Sequence, residues 1–371
     1  MRDVVVVGGG VIGLSVALAL ADIGHSVDLW ERRESPGLEQ STHNSGVIHA
    51  GFNAVPGSLR ARLNVEGNRL LYEQAQRWGV PTRRGGTLVV ANDDAGARRL
   101  DELLARGSAN GVPGLERLGP EEVSRYEPKL GPCVAALRAP SGGIVDPHAL
   151  VQALERECRR SGVRIAYRRE LRRARRRLDA WQLTAVSGEE QEARLVVNCA
   201  GVGSAKVAAL LGASDYRIFP CVGEYARIHG PKREWIRSMV YGLPPSGHPG
   251  IGVHLTRTTA GELILGPTAT YISDEVAPDP PLTPLEEFAR EAGGYLPGVE
   301  MADLERYPSG VRAKPVPPGT RDPFQDFVIR EDPVGSGAIQ LVGIESPGLT
   351  ASIAIGRFVA REIVPPRFGR G

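Results

Sequence analysis

The sequence predicts an α/β protein in which a parallel sheet with helices on its faces is joined to a second, α+β part built on an antiparallel sheet. Three observations predict this. Residues 4–7 form a valine strand that runs through three glycines into an apolar helix over about residues 11–23. Two further strand-turn-helix units lie far downstream, one with its strand at 194–199 and a helix to 211, the other with its strand at 340–344 and a helix to about 363. Between the first unit and the last, residues 87–91, 221–228 and 262–266 read as short strands separated by Pro/Gly-rich turns, without the βα rhythm.

The length of 371 residues leaves room for two domains. Lys plus Arg total 45 and Asp plus Glu total 43, giving a formal charge of +2, which argues against a polybasic nucleic-acid binder and against a disordered chain. The 46 glycines and 29 prolines show no repeat period and indicate loops. The four cysteines, Cys133, Cys158, Cys199 and Cys221, form no CxxC pair or Cys/His cluster, so neither a metal site nor a disulfide framework is expected. Their sparseness suits a reducing cytoplasm. Residues 4–21 carry no charge and resemble a signal peptide or short membrane span in composition, but Gly8, Gly9, Gly10 and Gly13 divide them into strand, turn and helix.

Gly8-Gly9-Gly10-Val11-Ile12-Gly13 is a GxGxxG placed between a strand and a helix, the context that gives this motif meaning. Gly8 permits the tight turn, Gly10 lets the backbone approach a pyrophosphate, and Gly13 lets helix and strand pack closely. The helix N-terminus at Val11 and Ile12 offers free N–H groups and a partial positive charge to the phosphates. A second strand from Val27 ends at Glu31, 18 positions after Gly13, where a carboxylate is expected to bind a ribose 2′-hydroxyl, followed by Arg32. These features specify a Rossmann-like dinucleotide-binding domain. The chain then departs from a plain NAD domain, running through Ser35-Pro36-Gly37 into Ser41, Thr42, His43, Asn44, Ser45, Gly46 and on to Gly51, small side chains suited to lie against a flat ring.

On these residues the chain resembles the FAD-dependent oxidoreductases of the D-amino-acid oxidase and glycine oxidase superfamily. Its closest resemblance is to the L-2-hydroxyglutarate dehydrogenase/oxidase branch. The segments that carry it are STHNSGVIHAG from Ser41 to Gly51, Pro56-Gly57-Ser58-Leu59, Ala61-Arg62-Leu63, Val65-Glu66-Gly67, Asn198-Cys199-Ala200-Gly201, Gly223-Glu224-Tyr225, Gly252-Val253-His254-Leu255-Thr256, Gly310-Val311-Arg312 and Ser346-Pro347-Gly348-Leu349-Thr350. The resemblance implies non-covalent FAD in a discontinuous domain of residues 1–75, 140–215 and 313–371, with a substrate-binding domain of residues 76–139 and 216–312 covering the flavin.

It also implies roles. Arg312 matches the arginine that clamps a substrate carboxylate, and its two parallel donors and fixed charge suit that task beside a flavin. His49 or His254 is the candidate base for the substrate hydroxyl proton, since a neutral imidazole accepts protons near working pH. Tyr225 and His254 join Arg312 as substrate-binding candidates. Ala200 and Gly201, together with Pro347, Gly348, Leu349 and Thr350, border the cofactor, the last four presenting helix N–H groups to the flavin pyrimidine edge. Lys314 is expected at the surface, Glu345 has no assigned role, and Leu171 is placed near the adenine. Arg168 to Arg177 holds seven arginines in ten residues and reads as a solvated hairpin or strand face, with peripheral contact at the inner membrane face as the minor alternative.

The chain departs from the hydroxyglutarate pattern at Val222, where a basic residue is common, and at Phe52-Asn53-Ala54, where tyrosines are common. A dicarboxylate needs a second cation or several donors at its far end, because an unpaired buried carboxylate is costly. The expected reaction is oxidation of a small 2-hydroxy acid to the 2-oxo acid by hydride transfer to flavin N5, with oxygen or a quinone as electron acceptor. The rivals are an amine or amino-acid oxidase of the same superfamily and a non-catalytic FAD-binding protein.

Overall fold

Residues 1–243, 253–273, 283–320 and 325–364 are described by a computed structural model. Gly252 of the His254 motif and the end of the expected third FAD segment, residues 365–371, lie outside the described residues.

The first sheet is built around the valine strand Arg2–Val7, which pairs in parallel with Val27–Trp30 on one side and with Glu190–Asn198 on the other. Arg164–Ala166 extends it beyond Val27–Trp30, again in parallel. The nine-residue strand Glu190–Asn198 has two partners on its far side. Its first half pairs with Trp181–Ala185 of an antiparallel hairpin, and its second half pairs in parallel with Ala338–Val342. Helices Val11–Asp22, Pro147–Arg160 and Gly348–Phe358 pack on one face, and Val4, Val6, Leu14, Leu29, Leu154 and Ile355 share that core. Each such side chain, fully buried, contributes about 1.5–3 kcal/mol.

Close backbone approaches set the geometry of this half. At Gly67, in the helix Leu59–Trp78, an added Cβ would lie 2.4 Å from Thr350 O, so this helix and the helix Gly348–Phe358 touch at backbone distance. Ser58 caps the longer helix by accepting from the Ala61 N–H at 3.1 Å, and Asp326 accepts from the Leu59 and Arg60 N–H groups.

The second sheet is largely antiparallel. Its centre is the strand Phe219–Ile228, paired with Leu304–Lys314, Leu263–Gly266 and Thr270–Tyr271. It continues through His254–Arg257 and Met239–Gly242 to Thr87–Ala91 and Ala135–Ala139, with one parallel pairing, between Met239–Gly242 and Thr87–Ala91. The helix Asp94–Ala109 lies against this end of the sheet, burying Leu100. The arginine-rich run forms the strand Leu171–Arg176 of the hairpin in the first sheet, with Arg172, Arg173, Arg175 and Arg176 exposed.

Several expected elements shift by a few residues. The first helix stops at Asp22, where Gly24 with φ +95° turns the chain, and the second strand at Trp30 and the last strand at Val342 give way to loops that line the cavity. The final helix passes into a π-helical turn at Val359–Ile363.

Candidate active site

The parallel strands of the first sheet end at Val7, Trp30, Asn198 and Val342. A cavity of about 870 Å³ opens outside these carboxyl ends, lined among others by Gly8, Glu31, Ala200 and Glu345, the position where open α/β sheets bind ligands.

At one end stands the glycine turn. Gly8 has φ +111°, and an added Cβ there would lie 2.4 Å from Cys199 O. At Gly13 it would lie 1.9 Å from Gly8 O, so any larger residue would push helix and strand apart. The helix Val11–Asp22 begins at the cavity wall without an acidic residue in its first turn, and Val11 N–H donates to Ser41 Oγ at 2.9 Å. Glu31 accepts from Gly9 N at 2.6 Å and from Arg33 N at 2.7 Å, bracing the loop, while burial pushes its carboxyl up. Carboxylate lone pairs remain for a ribose hydroxyl. Arg32 makes a bidentate pair with Glu39, and Arg169 lies over the Trp30 ring at 4.7 Å. Glu170 and Leu171 line the same end.

The middle of the cavity is bordered by three chain segments. Ser41, Asn44 and Ser45 come from the loop after the second strand and His49 from just beyond it, and Pro347, Gly348 and Leu349 from the N-cap and first turn of the last helix. Tyr225 and Arg312 come from the second sheet. The strand Leu304–Lys314 packs directly on the loop, since a Cβ at Gly310 would lie 2.2 Å from His43 O. Thr42, His43, Gly46 and Thr350 stand behind the wall. Thr42 Oγ1 donates to Gly37 O, the His43 ring lies 2.9 Å from Glu39 O, Gly46 makes its turn with φ +67°, and Thr350 Oγ1 accepts from His49 N–H at 3.0 Å. These four shape the loop from which the lining residues project. Gly201, φ +55°, reaches the cavity beside Ala200.

Arg312 Nη2 donates to the carbonyls of Thr268 and Val222, which fixes the guanidinium plane. Its buried Nε has no hydrogen-bond partner among the described residues, a donor suited to an anionic ligand. Burial pushes the Tyr225 phenol up, against the opposing pull of Arg312 and of hydrogen bonding with Ser45. His49 Nε2 lies 3.1 Å from Ser346 Oγ. Its ring is partly open toward the cavity but enclosed by protein elsewhere, and burial lowers its pKa from 6.5 to about 4. His254 is 2% exposed and stacks on Tyr241 with ring centroids 4.2 Å apart.

Beyond Tyr241 the cavity reaches Asn53, whose amide lies 3.4 Å from Tyr241 Oη, and the helix Asp94–Ala109. That helix turns Arg99, Glu102, Leu103 and Arg106 to the cavity, spaced as one helical face. Arg106 also donates to Asn53 O.

The expectation for Lys314 is corrected. It is 1% exposed and its Nζ lies 3.3 Å from Glu345, because residues two apart on a strand share a face and Arg312 already faces the cavity. That period-two relation was the available signal. Arg60, Tyr241 and the arginines of the helix Asp94–Ala109 also border the cavity without having been singled out, whereas Asn53 was named only as a departure from the family pattern. Arg60 stands beside the Ser58-Leu59 helix start, but nothing in its neighbours marks it as buried.

A family model described as FAD dependent oxidoreductase matches residues 3–362. The chain belongs to the FAD dependent oxidoreductase family. Among curated proteins, it is 32% identical to a glycerol 3-phosphate dehydrogenase from Caloramator mitchellensis, over 97% of this chain and 73% of that protein. It is 30% identical to the mitochondrial L-2-hydroxyglutarate dehydrogenase of Homo sapiens, over 97% of this chain and 88% of the relative. Among solved structures, L-α-glycerophosphate oxidase from Mycoplasma pneumoniae with FAD bound superposes with a TM-score of 0.86 at 27% identity, covering 97% of this chain and 94% of that one. The fold is also that of glycine oxidase from Geobacillus kaustophilus, with a TM-score of 0.79 at 21% identity, covering 97% and 93%. The cofactor of this FAD-dependent oxidoreductase is FAD. The cavity fits it, with a helix N-terminus and glycine turn at one end and a loop of small residues in the middle.

Among the described residues, no helix is long and apolar enough to cross a membrane.

Proposed function

We propose that this FAD-dependent oxidoreductase oxidises a small 2-hydroxy acid carrying a second anionic group, such as L-2-hydroxyglutarate, to the 2-oxo acid. The observation that carries the reading is that one cavity is lined both by Arg312, with an unsatisfied buried donor, and by His49, whose burial disfavours the charged imidazole.

When bound, FAD supplies the two-electron acceptor that takes the C2 hydrogen with its bonding pair at flavin N5. Gly8, Gly10, Val11, Ile12 and Glu31 would hold its pyrophosphate and ribose, and Ser41 to Ser45 with Pro347 to Leu349 would hold the ring. Arg312 orients the substrate carboxylate through its fixed guanidinium, with Tyr225 beside it. His49 accepts the hydroxyl proton at Nε2, the substrate hydroxyl taking the place of Ser346 Oγ, which lies 3.1 Å from that nitrogen. His49 is favoured over His254 as base because His254 is stacked on Tyr241 and almost wholly enclosed. His254 and Tyr241 then form the wall past which the rest of the substrate extends. Arg99 and Arg106 offer the far-end cations that Val222 does not.

A second reading is oxidation of a glycerol phosphate, favoured by the same arginines and by the glycerol 3-phosphate relatives. Both readings place a secondary alcohol against His49. Anaerobic mixing of the holoenzyme with L-2-hydroxyglutarate, sn-glycerol 3-phosphate and a set of amino acids, followed by flavin absorbance, decides between them. Bleaching by the hydroxy acid supports the proposal, bleaching by the phosphate alone moves it to the second reading, and bleaching only by an amine removes it. Re-admitting oxygen, or adding a quinone without oxygen, identifies the acceptor.

A further inference from the structure

Three charged side chains on the cavity wall have no part in the reaction above. Lys314, Glu345 and Arg60 are 1%, 6% and 4% exposed and come from three separate segments. The Glu345 carboxylate lies 3.3 Å from Lys314 Nζ and 3.5 Å from Arg60 Nη2. An ion pair this deep does little for stability, since desolvation offsets most of its Coulomb attraction and packed apolar residues would serve as well. Its position explains it better. Lys314 follows Arg312 by two residues on the strand that packs against the loop at His43. Glu345 stands immediately before the Ser346–Leu349 turn, and its carbonyl accepts from Gly348 N–H at 2.5 Å. The pair therefore joins the two segments that border the space assigned to the flavin ring.

We infer that Lys314 and Glu345 set the reduction potential of the bound flavin, with opposite signs. Two-electron reduction leaves negative charge around N1 and the C2 carbonyl of the ring. In a cavity poorly screened by water, a nearby ammonium favours that reduced form and a nearby carboxylate opposes it. Arg60 acts as a positioning residue, its Nη2 holding Glu345 at 3.5 Å. The inference rests on FAD lying in this cavity and not on the identity of the substrate, so it survives if the substrate proposal fails.

The test is the midpoint potential of the holoenzyme, read against a reference dye during anaerobic reduction, for the unsubstituted protein, Lys314→Met, Lys314→Arg and Glu345→Gln. Lys314→Met is expected to shift the oxidised/reduced equilibrium toward the oxidised form at least tenfold, about 30 mV for a two-electron couple. Glu345→Gln is expected to shift it the other way by a similar factor, and Lys314→Arg to stay within about threefold of the unsubstituted protein because it keeps the charge. A purely structural role cannot produce opposite signs. Shifts in the same direction, or none, overturn the inference. If Lys314→Met fails to retain flavin, Glu345→Gln decides alone, an upward shift supporting the inference and an unchanged or lower potential overturning it. An unchanged potential with KM raised tenfold in Lys314→Met would make Lys314 a substrate ligand and also overturn it.

Discussion

The two ends of the cavity are built from different materials. At the end proposed to take the dinucleotide the cavity-lining groups are largely backbone: the glycine turn, the start of the helix Val11–Asp22, and loops braced by Glu31 and Ser41. At the proposed substrate end they are side chains, Arg312, His49, Tyr225 and His254, delivered by segments up to 263 positions apart. Backbone recognition needs only that the chain come close, and side-chain recognition needs a particular charge at a particular point. Substitutions should therefore separate the two ends, with the first losing the cofactor and the second losing the reaction while keeping the cofactor.

The largest effect is expected at the glycine turn. Gly13→Val places a side chain where even a Cβ would meet Gly8 O at 1.9 Å, so the protein should be isolated without FAD or not fold, as read by the ratio of flavin to protein absorbance. A yellow Gly13→Val protein with full occupancy would break the comparison at its first end. Next comes His49→Gln, for which flavin reduction by substrate should slow by about 10²–10⁴ in stopped flow with FAD occupancy unchanged. A loss below tenfold would transfer the base role to His254.

The pH profile sharpens the same point. Burial lowers the His49 pKa to about 4, and a base must be neutral, so its activity is complete above that pKa and lost as pH falls through it. The acid limb of kcat/KM should thus lie near pH 4 and not near 6.5, provided the fold survives there. The same shift lowers stability as pH falls from 6.5 toward 4, because the unfolded imidazole takes up a proton that the folded one refuses. Urea unfolding at several pH values reads that slope. The smallest effect belongs to the arginine run: Arg173→Gln, on the exposed face of the hairpin, should change stability by no more than about 0.5 kcal/mol and leave FAD binding as it was.

The same contrast governs what could be read from the chain. The three strand-turn-helix units were legible because valine runs and glycines encode local geometry, and their turns do converge at the carboxyl ends of the parallel strands. Three strands of the second sheet, at 87–91, 221–228 and 262–266, were legible as elements, but strands such as Ala135–Ala139 and Leu304–Lys314 were not, and neither was the order, since pairings such as Phe219–Ile228 with Leu304–Lys314 join residues 76 to 95 apart and no local rule selects them. Arg312 was singled out by the family resemblance together with its glycine-bounded motif, and it does line the cavity. Lys314, two residues on, is expected at the surface because lysine is rarely buried without a partner, and the carboxylate that makes its burial possible sits 31 positions away in Glu345. Arg60 and the cavity face of the helix Asp94–Ala109 were missed for the same reason. Their significance depends on what stands opposite them.

The most direct test of this division is Arg312→Met. The account predicts a protein that retains a full complement of FAD, with the visible spectrum of bound flavin, and is reduced by dithionite, while its affinity for the carboxylate substrate in anaerobic titration falls by about 100-fold or more, the loss of a charge-assisted pair. Unchanged substrate affinity, or loss of the flavin itself, would contradict it.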